Sequence, residues 1–170
     1  PETQLNMVRL GILQYGFFPS REVLIDYLSK QGEDQYPLHR LVSWKSKVMD
    51  IKNVKTGEFI GYGTSFLANY DMRIAIIPVG YGHGFSRSLS NQGRVLIRGQ
   101  RNMVVGMVNM NMMAVDVSQV EGVERGDEVV LIGRQGDLEI SVSSFGQFSD
   151  QINYELLTRL PNDIPRVLVK

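Results

Sequence analysis

The sequence predicts a mainly β fold, a barrel or sandwich of short strands preceded by a small helix-bearing lead, and three observations predict it. Short apolar runs recur at regular spacing from Val42 to Val142. Turn-forming residues punctuate them, as in Lys55-Thr56-Gly57, Gly99-Gln100-Arg101-Asn102, Gly126-Asp127 and Gln135-Gly136-Asp137. Only two segments, Arg21 to Lys30 and Ser143 to Leu160, carry apolar residues near helical spacing.

Taken in order, the apolar run Val8 to Tyr15 ended by Gly16 reads as a strand, Pro19-Ser20 as a turn, and Arg21 to Lys30 as a short helix with Val23, Leu24 and Leu28 near helical spacing. Gln31 to Tyr36 is polar and unpatterned and reads as a linker. This divides the chain into a lead, residues 1–36, and a β domain, residues 37–170. Val42 and Trp44 alternate with Lys45 and Lys47 until Val48-Met49, where the apolar face shifts by one residue and a bulge is expected. Further strands are expected at Ile74 to Val79, Val95 to Arg98, Met103 to Val108, Met112 to Val117, Val129 to Ile132 and Leu138 to Val142. The helical segment Ser143 to Leu160 places Phe145, Phe148, Ile152, Leu156 and Leu157 on its apolar side, and Pro165 to Val169 reads as a closing strand.

Composition excludes several classes of function. Among 170 residues, Lys plus Arg and Asp plus Glu number 18 each and are dispersed, so no basic field points to nucleic acid or an anionic membrane. No apolar stretch is long enough to span a bilayer and no secretory leader is visible, so the expected location is the cytoplasm. The absence of cysteine removes disulfides, thiol catalysis and cysteine-ligated metals. His39 and His83 are the only histidines, and no carboxylates at ligand spacing accompany them, so no metal site is expected. The five methionines between Met103 and Met113 read as adaptable core, with Met110 set apart below. The chain opens Pro1-Glu2-Thr3 without an initiator methionine and is expected to be part of something larger.

The chemistry-bearing pattern is Glu58 to Phe66, the apolar run Ile74 to Val79, and Gly80-Tyr81-Gly82-His83-Gly84. Tyr62 and Tyr81 each stand between two glycines. Residues without a β-carbon let a ligand or another backbone approach closely, which a catalytic or gating phenol requires. The same pattern also fits half-buried strand-end aromatics beside ordinary turns.

Together these pieces resemble the C-terminal part of alanine racemase over about Asn6 to Val169. The markers are Met7 to Ile12 with Tyr15-Gly16, Ser43-Trp44-Lys45, Gly61-Tyr62-Gly63-Thr64, Pro78-Val79-Gly80-Tyr81, Arg87-Ser88-Leu89-Ser90-Asn91, Val105-Gly106, Gly126 to Gly133, Ile152-Asn153-Tyr154-Glu155 and Pro165-Arg166-Val167. The resemblance implies the last strand and helix of a (β/α)₈ barrel followed by a C-terminal β-barrel-like domain, pyridoxal 5'-phosphate as cofactor, and L- and D-alanine as substrates. It also implies a role in D-alanine supply for peptidoglycan, and a homodimer whose subunits meet head to tail. By this resemblance Arg9 faces the cofactor's ring nitrogen, while Gly11, Ile12 and Tyr154 bind its phosphate. Tyr62 is the catalytic tyrosine, acting at the partner subunit's cofactor. Met110 holds the substrate carboxylate through its backbone N–H, and Tyr81 and Arg87 line the substrate entrance.

Three departures qualify this expectation. The family's Schiff-base lysine motif is absent, so the chain alone is expected to be inactive. Where relatives commonly carry Gly-Tyr-Ala-Asp-Gly this chain has Gly80-Tyr81-Gly82-His83-Gly84, and it has Met110-Asn111 where they carry Met-Asp. An imidazole, expected at the mouth of the site, and an amide thus replace two entrance carboxylates, which opens the alternative of a broader serine/alanine racemase. A non-enzymatic β-barrel binding module is the other alternative, since Val123 to Gly133 also suits accessory barrels, but it leaves Arg9, Tyr62 and Tyr154 without a role.

Overall fold

The computed structural model describes residues 6–32, 35–149 and 153–169, the side chains of 146–149 and 153–154 excepted. The chain falls into two compact units, Pro1–Val42 and Ser43–Lys170. No helix among the described residues is long and apolar enough to cross a membrane.

In the first unit the expected helix forms as α1, Arg21–Gln31. The Ser20 hydroxyl caps it by accepting from the Val23 N–H at 3.4 Å, and left-handed Gly32 ends it. The expected strand Val8 to Tyr15 does not form: residues 7–11 have no regular structure and Ile12–Tyr15 is a 3-10 helix. A strand exists only where a neighbour completes its backbone ladder, and no described residue pairs with this run. Met7, Val8 and Leu10 accordingly stay exposed despite their apolar side chains. Tyr36, expected in a linker, is packed within this unit. Its hydroxyl donates to the Gly16 carbonyl at 3.1 Å, and the Arg40 guanidinium lies 3.8 Å from the Phe17 ring centre and 4.7 Å from that of Tyr36.

The second unit is mainly β, as the strand-and-turn pattern predicts. Its strands are β1 Trp44–Lys47, β2 Asp50–Val54, β3 Phe59–Ile60, β4 Phe66–Leu67, β5 Met72–Ile77, β6 Arg94–Ile97, β7 Gln100–Val105, β8 Met113–Asp116, β9 Glu128–Gln135 and β10 Leu138–Ile140. The main sheet runs β1-β9-β6-β7-β8-β5-β2 with β10 also on β9, every pairing antiparallel, and β3-β4 form a separate hairpin. β1 and β2 lie at opposite ends of that order, yet only Val48 and Met49 separate them in sequence. Two residues span no more than about 10 Å, so the sheet must curl until its ends meet, which makes the unit barrel-like.

That passage corrects the expected bulge at Val48-Met49. The Val48 N–H bonds to the Asp127 carbonyl at 2.9 Å and the Met49 N–H to Ile76 at 2.8 Å, so the chain leaves one ladder and joins another at this point. The only register shift of β1 lies between Trp44 and Lys45. The turn expected at Gly99 to Asn102 is shorter: left-handed Arg98 and Gly99 close a two-residue hairpin, and β7 resumes at Gln100.

Buried residues of β8 alternate with half-buried ones and those of β5 do so except at the adjacent pair Ile74-Ala75, whereas Val95 to Ile97 and Val129 to Ile132 are buried without alternation. Trp44, Phe85 and Phe145 form a chain of tilted and edge-on rings, at 6.3 and 5.4 Å, that carries the core to α2, Val142–Ser149. Within the expected helical segment Ser143 to Leu160 the described residues form α2 and α3 (Asn153–Arg159), and residues 150–152 lie outside the described ones. Pro165 to Val169 forms no strand, and Leu168 is fully exposed, again without a ladder partner among the described residues.

Candidate active site

Three segments of the second unit converge. The β3-β4 hairpin carries Tyr62 at its tip, the end of β5 leads through Pro78 and Val79 to a 3-10 turn at Tyr81–His83, and β7 runs into the irregular stretch 106–112. Between them lies a cleft of about 390 Å³ lined by Tyr62, Tyr81, Arg87 and the residues from Val108 to Met112. Four of the eight residues singled out from sequence, Tyr62, Tyr81, Arg87 and Met110, therefore share one wall system.

Of the two approaches expected at the glycines beside the tyrosines, ligand or backbone, the structure shows the backbone one at three of them. Gly61 has φ 82° and ψ 179°, a combination in effect reserved for glycine, and a β-carbon on it would meet the Met107 nitrogen at 3.1 Å. Gly80 is extended, but a β-carbon there would lie 2.0 Å from the Asn109 carbonyl oxygen. On Gly82 it would lie 3.0 Å from the Met110 oxygen. These glycines admit neighbouring backbone rather than a ligand. The approach lets the Tyr81 N–H bond to Asn109 at 3.0 Å and the Gly82 N–H to Met110 at 2.9 Å, pinning the Tyr81 turn to the irregular stretch that carries Met110. Gly63 alone, at φ 66° with no atom near its missing β-carbon, leaves space beside Tyr62.

What the cleft offers a ligand is a set of unsatisfied polar groups. Tyr62 is 75% exposed and Met110 55%. Among the described residues the Tyr62 hydroxyl, the Arg87 guanidinium and the Met110 N–H have no hydrogen-bond or ion-pair partner. Among the described residues Arg87 is the only charged side chain in the lining, and its guanidinium does not lose its proton. The cleft is thus equipped for a small anion with polar substituents, such as the carboxylate of an amino acid, set beside a phenol. Its amide groups, Asn109 and Asn111, can both donate and accept.

His83, expected at the mouth of the site, does not line the cleft. It is half-buried and its Nδ1 accepts the Gly80 N–H at 3.2 Å, bracing the turn that presents Tyr81. Sequence reasoning also passed over Ser90 and Asn91 as mere motif members. The Ser90 hydroxyl donates to the Arg87 carbonyl at 2.5 Å and accepts from the Val108 N–H at 3.0 Å. The signal was an Asn ahead of Gln-Gly, since Asn tolerates the left-handed backbone it adopts here, φ 58°.

The remaining singled-out residues belong to other places. Arg9 is exposed in the first unit with no ion-pair partner among the described residues. Gly11 is exposed at the start of the 3-10 helix with φ −101° and ψ −129°, outside the regions that β-carbon-bearing residues favour, and Ile12 is buried. Tyr154 lies on α3, its side chain outside the described ones. Among the described residues no group of His, Asp or Glu is arranged to hold a metal ion.

Comparison with known proteins adds what geometry cannot. Residues 41–168 match the family model "Alanine racemase, C-terminal domain". Over 169 residues the chain is 36% identical to the alanine racemase of Leptospira interrogans, covering 99% of this chain and 43% of that protein. Among solved structures it is similar to alanine racemase from Bacillus anthracis with bound L-Ala-P, at 32% identity and TM-score 0.81, over 94% of this chain and 39% of that one. It is also similar to alanine racemase from Bartonella henselae with covalently bound pyridoxal phosphate, at 29% identity and TM-score 0.74, over 81% and 38%. The chain thus spans about two fifths of the length of the proteins it matches.

Proposed function

The chain belongs to the alanine racemase family, and on that premise we propose that it is the C-terminal part of a pyridoxal-phosphate-dependent racemase interconverting L- and D-alanine, with Tyr62 acting at the α-carbon. The observation that carries this is the convergence of an unpartnered phenol, an unpartnered backbone N–H and an unpaired guanidinium on one cleft. In such an enzyme the product supplies D-alanine for peptidoglycan.

Residues present here fit the cofactor as far as they are described. Arg9, exposed and unpaired, suits a polarised ring nitrogen, and Gly11 lets a phosphate approach its backbone. Ile12 and Tyr154 complete the phosphate contacts in this reading. Bound pyridoxal phosphate supplies the electron-withdrawing ring that acidifies the substrate α-proton. Because a guanidinium keeps its proton, Arg9 would donate a hydrogen bond to the ring nitrogen without protonating it, which would limit how much negative charge the ring could take up.

Tyr62 removes or returns the α-proton on one face, and a lysine of the barrel half does so on the other, since inversion requires the proton to leave one side and return on the opposite one. The Met110 N–H orients the substrate carboxylate, while Tyr81 and Arg87 narrow the approach and favour anions. The exposure of Tyr62 and Met110 fits a site completed by a partner subunit's barrel, so the working form is a homodimer and this chain alone does not racemise alanine. That the described lining residues include Asn109 and Asn111 and no carboxylate favours as a second reading a racemase that also accepts serine.

The experiment is Tyr62→Phe in the full-length, cofactor-bound enzyme. The ring stays and only the proton-carrying oxygen leaves, so racemisation falls by about two to four orders of magnitude. Exchange of the α-hydrogen into deuterated solvent falls far more from L-alanine than from D-alanine, because the lysine still serves the latter. Equal and small losses from both enantiomers would make Tyr62 a packing residue and move the role to Tyr81.

A further inference from the structure

We infer that Asn91 is the positioning residue of this site, a side-chain clamp that sets Tyr62 at a fixed separation from Met110; the inference rests on the reading of Tyr62 given above. The hairpin tip that carries Tyr62 is weakly held by its own structure. β3 and β4 contribute two residues each, and Gly61, Gly63 and Thr64 all have positive φ, at 82°, 66° and 50°. Conformations of that kind cost energy at Thr64 and persist only where the surroundings hold them.

The holding group is Asn91. Its Nδ2 donates to the Ser65 carbonyl at 3.0 Å, and among the described residues this is the one hydrogen bond that reaches the backbone of residues 61–65 from elsewhere in the chain. Its Oδ1 accepts from the Gly106 N–H at 2.6 Å, at the head of the stretch that ends in Met110. One carboxamide thus bonds both walls of the cleft at once, one through its N–H donor and one through its separate carbonyl acceptor, neither of which titrates. Gly106 cannot carry a side chain here, because a β-carbon would lie 2.8 Å from the Ile60 oxygen. The two walls therefore meet backbone to backbone, with the amide as their cross-tie. Ser90 adds a second tie, from the Val108 N–H to the Arg87 carbonyl.

Asn91→Gly tests the clamp with little risk to folding, because glycine accepts φ 58° at least as readily as Asn and removes only the carboxamide. Asn91→Asp is the second variant: it keeps the acceptor for Gly106 and turns an oxygen toward the Ser65 carbonyl. Each is measured in the full-length, cofactor-bound enzyme beside Tyr62→Phe. A misplacement of about 1 Å costs about 10²-fold in rate, so kcat falls by roughly that factor in both variants while KM for alanine changes by less than about threefold. Deuterium exchange of the α-hydrogen falls more from L-alanine than from D-alanine, as in Tyr62→Phe. Backbone amide exchange, followed by mass spectrometry without substrate, quickens in peptides covering residues 61–66 and stays unchanged in β9.

Unchanged amide exchange over 61–66 overturns the inference, as does a kcat loss that is equal from both enantiomers when Tyr62→Phe is lopsided. If Tyr62→Phe itself is even-handed, the catalytic reading fails instead. Amide exchange over 61–66 in Asn91→Gly then decides the clamp by itself.

Discussion

Gly80→Ala isolates the close approach on which the cleft depends. Gly80 has φ −145° and ψ −162°, extended backbone that any residue adopts, so the substitution carries no conformational penalty of its own. Its whole effect is steric. The new β-carbon would stand 2.0 Å from the Asn109 oxygen and 2.6 Å from the Met110 carbonyl carbon and oxygen, 1.4 Å short of the 3.4 Å at which ordinary contact begins for the first. All three atoms are backbone, so no rotamer relieves the clash. The Tyr81 turn and the Asn109-Met110 segment must separate by about that distance, and the two hydrogen bonds between them, at 3.0 and 2.9 Å, open. Two bonds at about 1 kcal/mol each plus about 1 kcal/mol of residual overpacking total roughly 3 kcal/mol. For a unit of this size that lowers Tm by about 6–12 °C. Gly63→Ala is the control, since it meets no atom within 4 Å and bears only the cost of its left-handed backbone, about 1–2 kcal/mol. Thermal unfolding followed by circular dichroism gives both numbers, and racemase kcat in the full-length enzyme should fall about 10²-fold for Gly80→Ala. A Gly80→Ala protein that melts within a degree or two of the parent, or above Gly63→Ala, refutes the argument that glycine here serves backbone approach.

Two further outcomes follow from the same geometry. Lys55 above all, with the Thr56 N–H and hydroxyl, holds the Asp71 carboxyl down at about 2 against an ordinary 3.8. A carboxyl depressed on folding stabilises the protein above its unfolded value and loses that contribution as pH falls through its folded value. The Tm gap between the parent and Asp71→Asn is therefore full above about pH 4 and closes by about pH 2, and a gap that stays constant over pH 2–6 contradicts this. His83→Ala removes the acceptor of the Gly80 N–H and should cost about 1 kcal/mol, with KM rising as the Tyr81 turn loosens, whereas His83→Asp restores an acceptor and recovers most of the loss. Equal melting of the two variants, with KM unchanged in both, would show that the imidazole does not brace the turn.

What the sequence determined by itself is whatever a few neighbouring residues decide. Ser20 caps a helix because its own hydroxyl reaches the N–H three residues on, and Gly136-Asp137 closes a hairpin because two residues suffice for the turn. The regular beat of apolar runs and turns likewise announced a mainly β unit, and the doubled glycines marked both tyrosines. Tertiary structure decided what depends on a distant partner. Val8 to Tyr15 and Pro165 to Val169 read as strands, yet a strand needs a second backbone and none of the described residues supplies it. The shift at Val48-Met49 read as a bulge, yet it is the step between ladders at the two ends of a curled sheet. The glycines of the Tyr81 turn were legible as close approaches, but not what approaches: that is the backbone of an irregular stretch some thirty residues onward. Nor does any local pattern join Tyr62, Arg87 and Met110. Their convergence is the work of the β5-β8 and β6-β7 ladders and of one carboxamide, Asn91, whose two hydrogen bonds span 26 and 15 residues of chain. Propensity acts over a few residues, whereas a site is made by contacts whose partners only the folded chain brings within 3 Å.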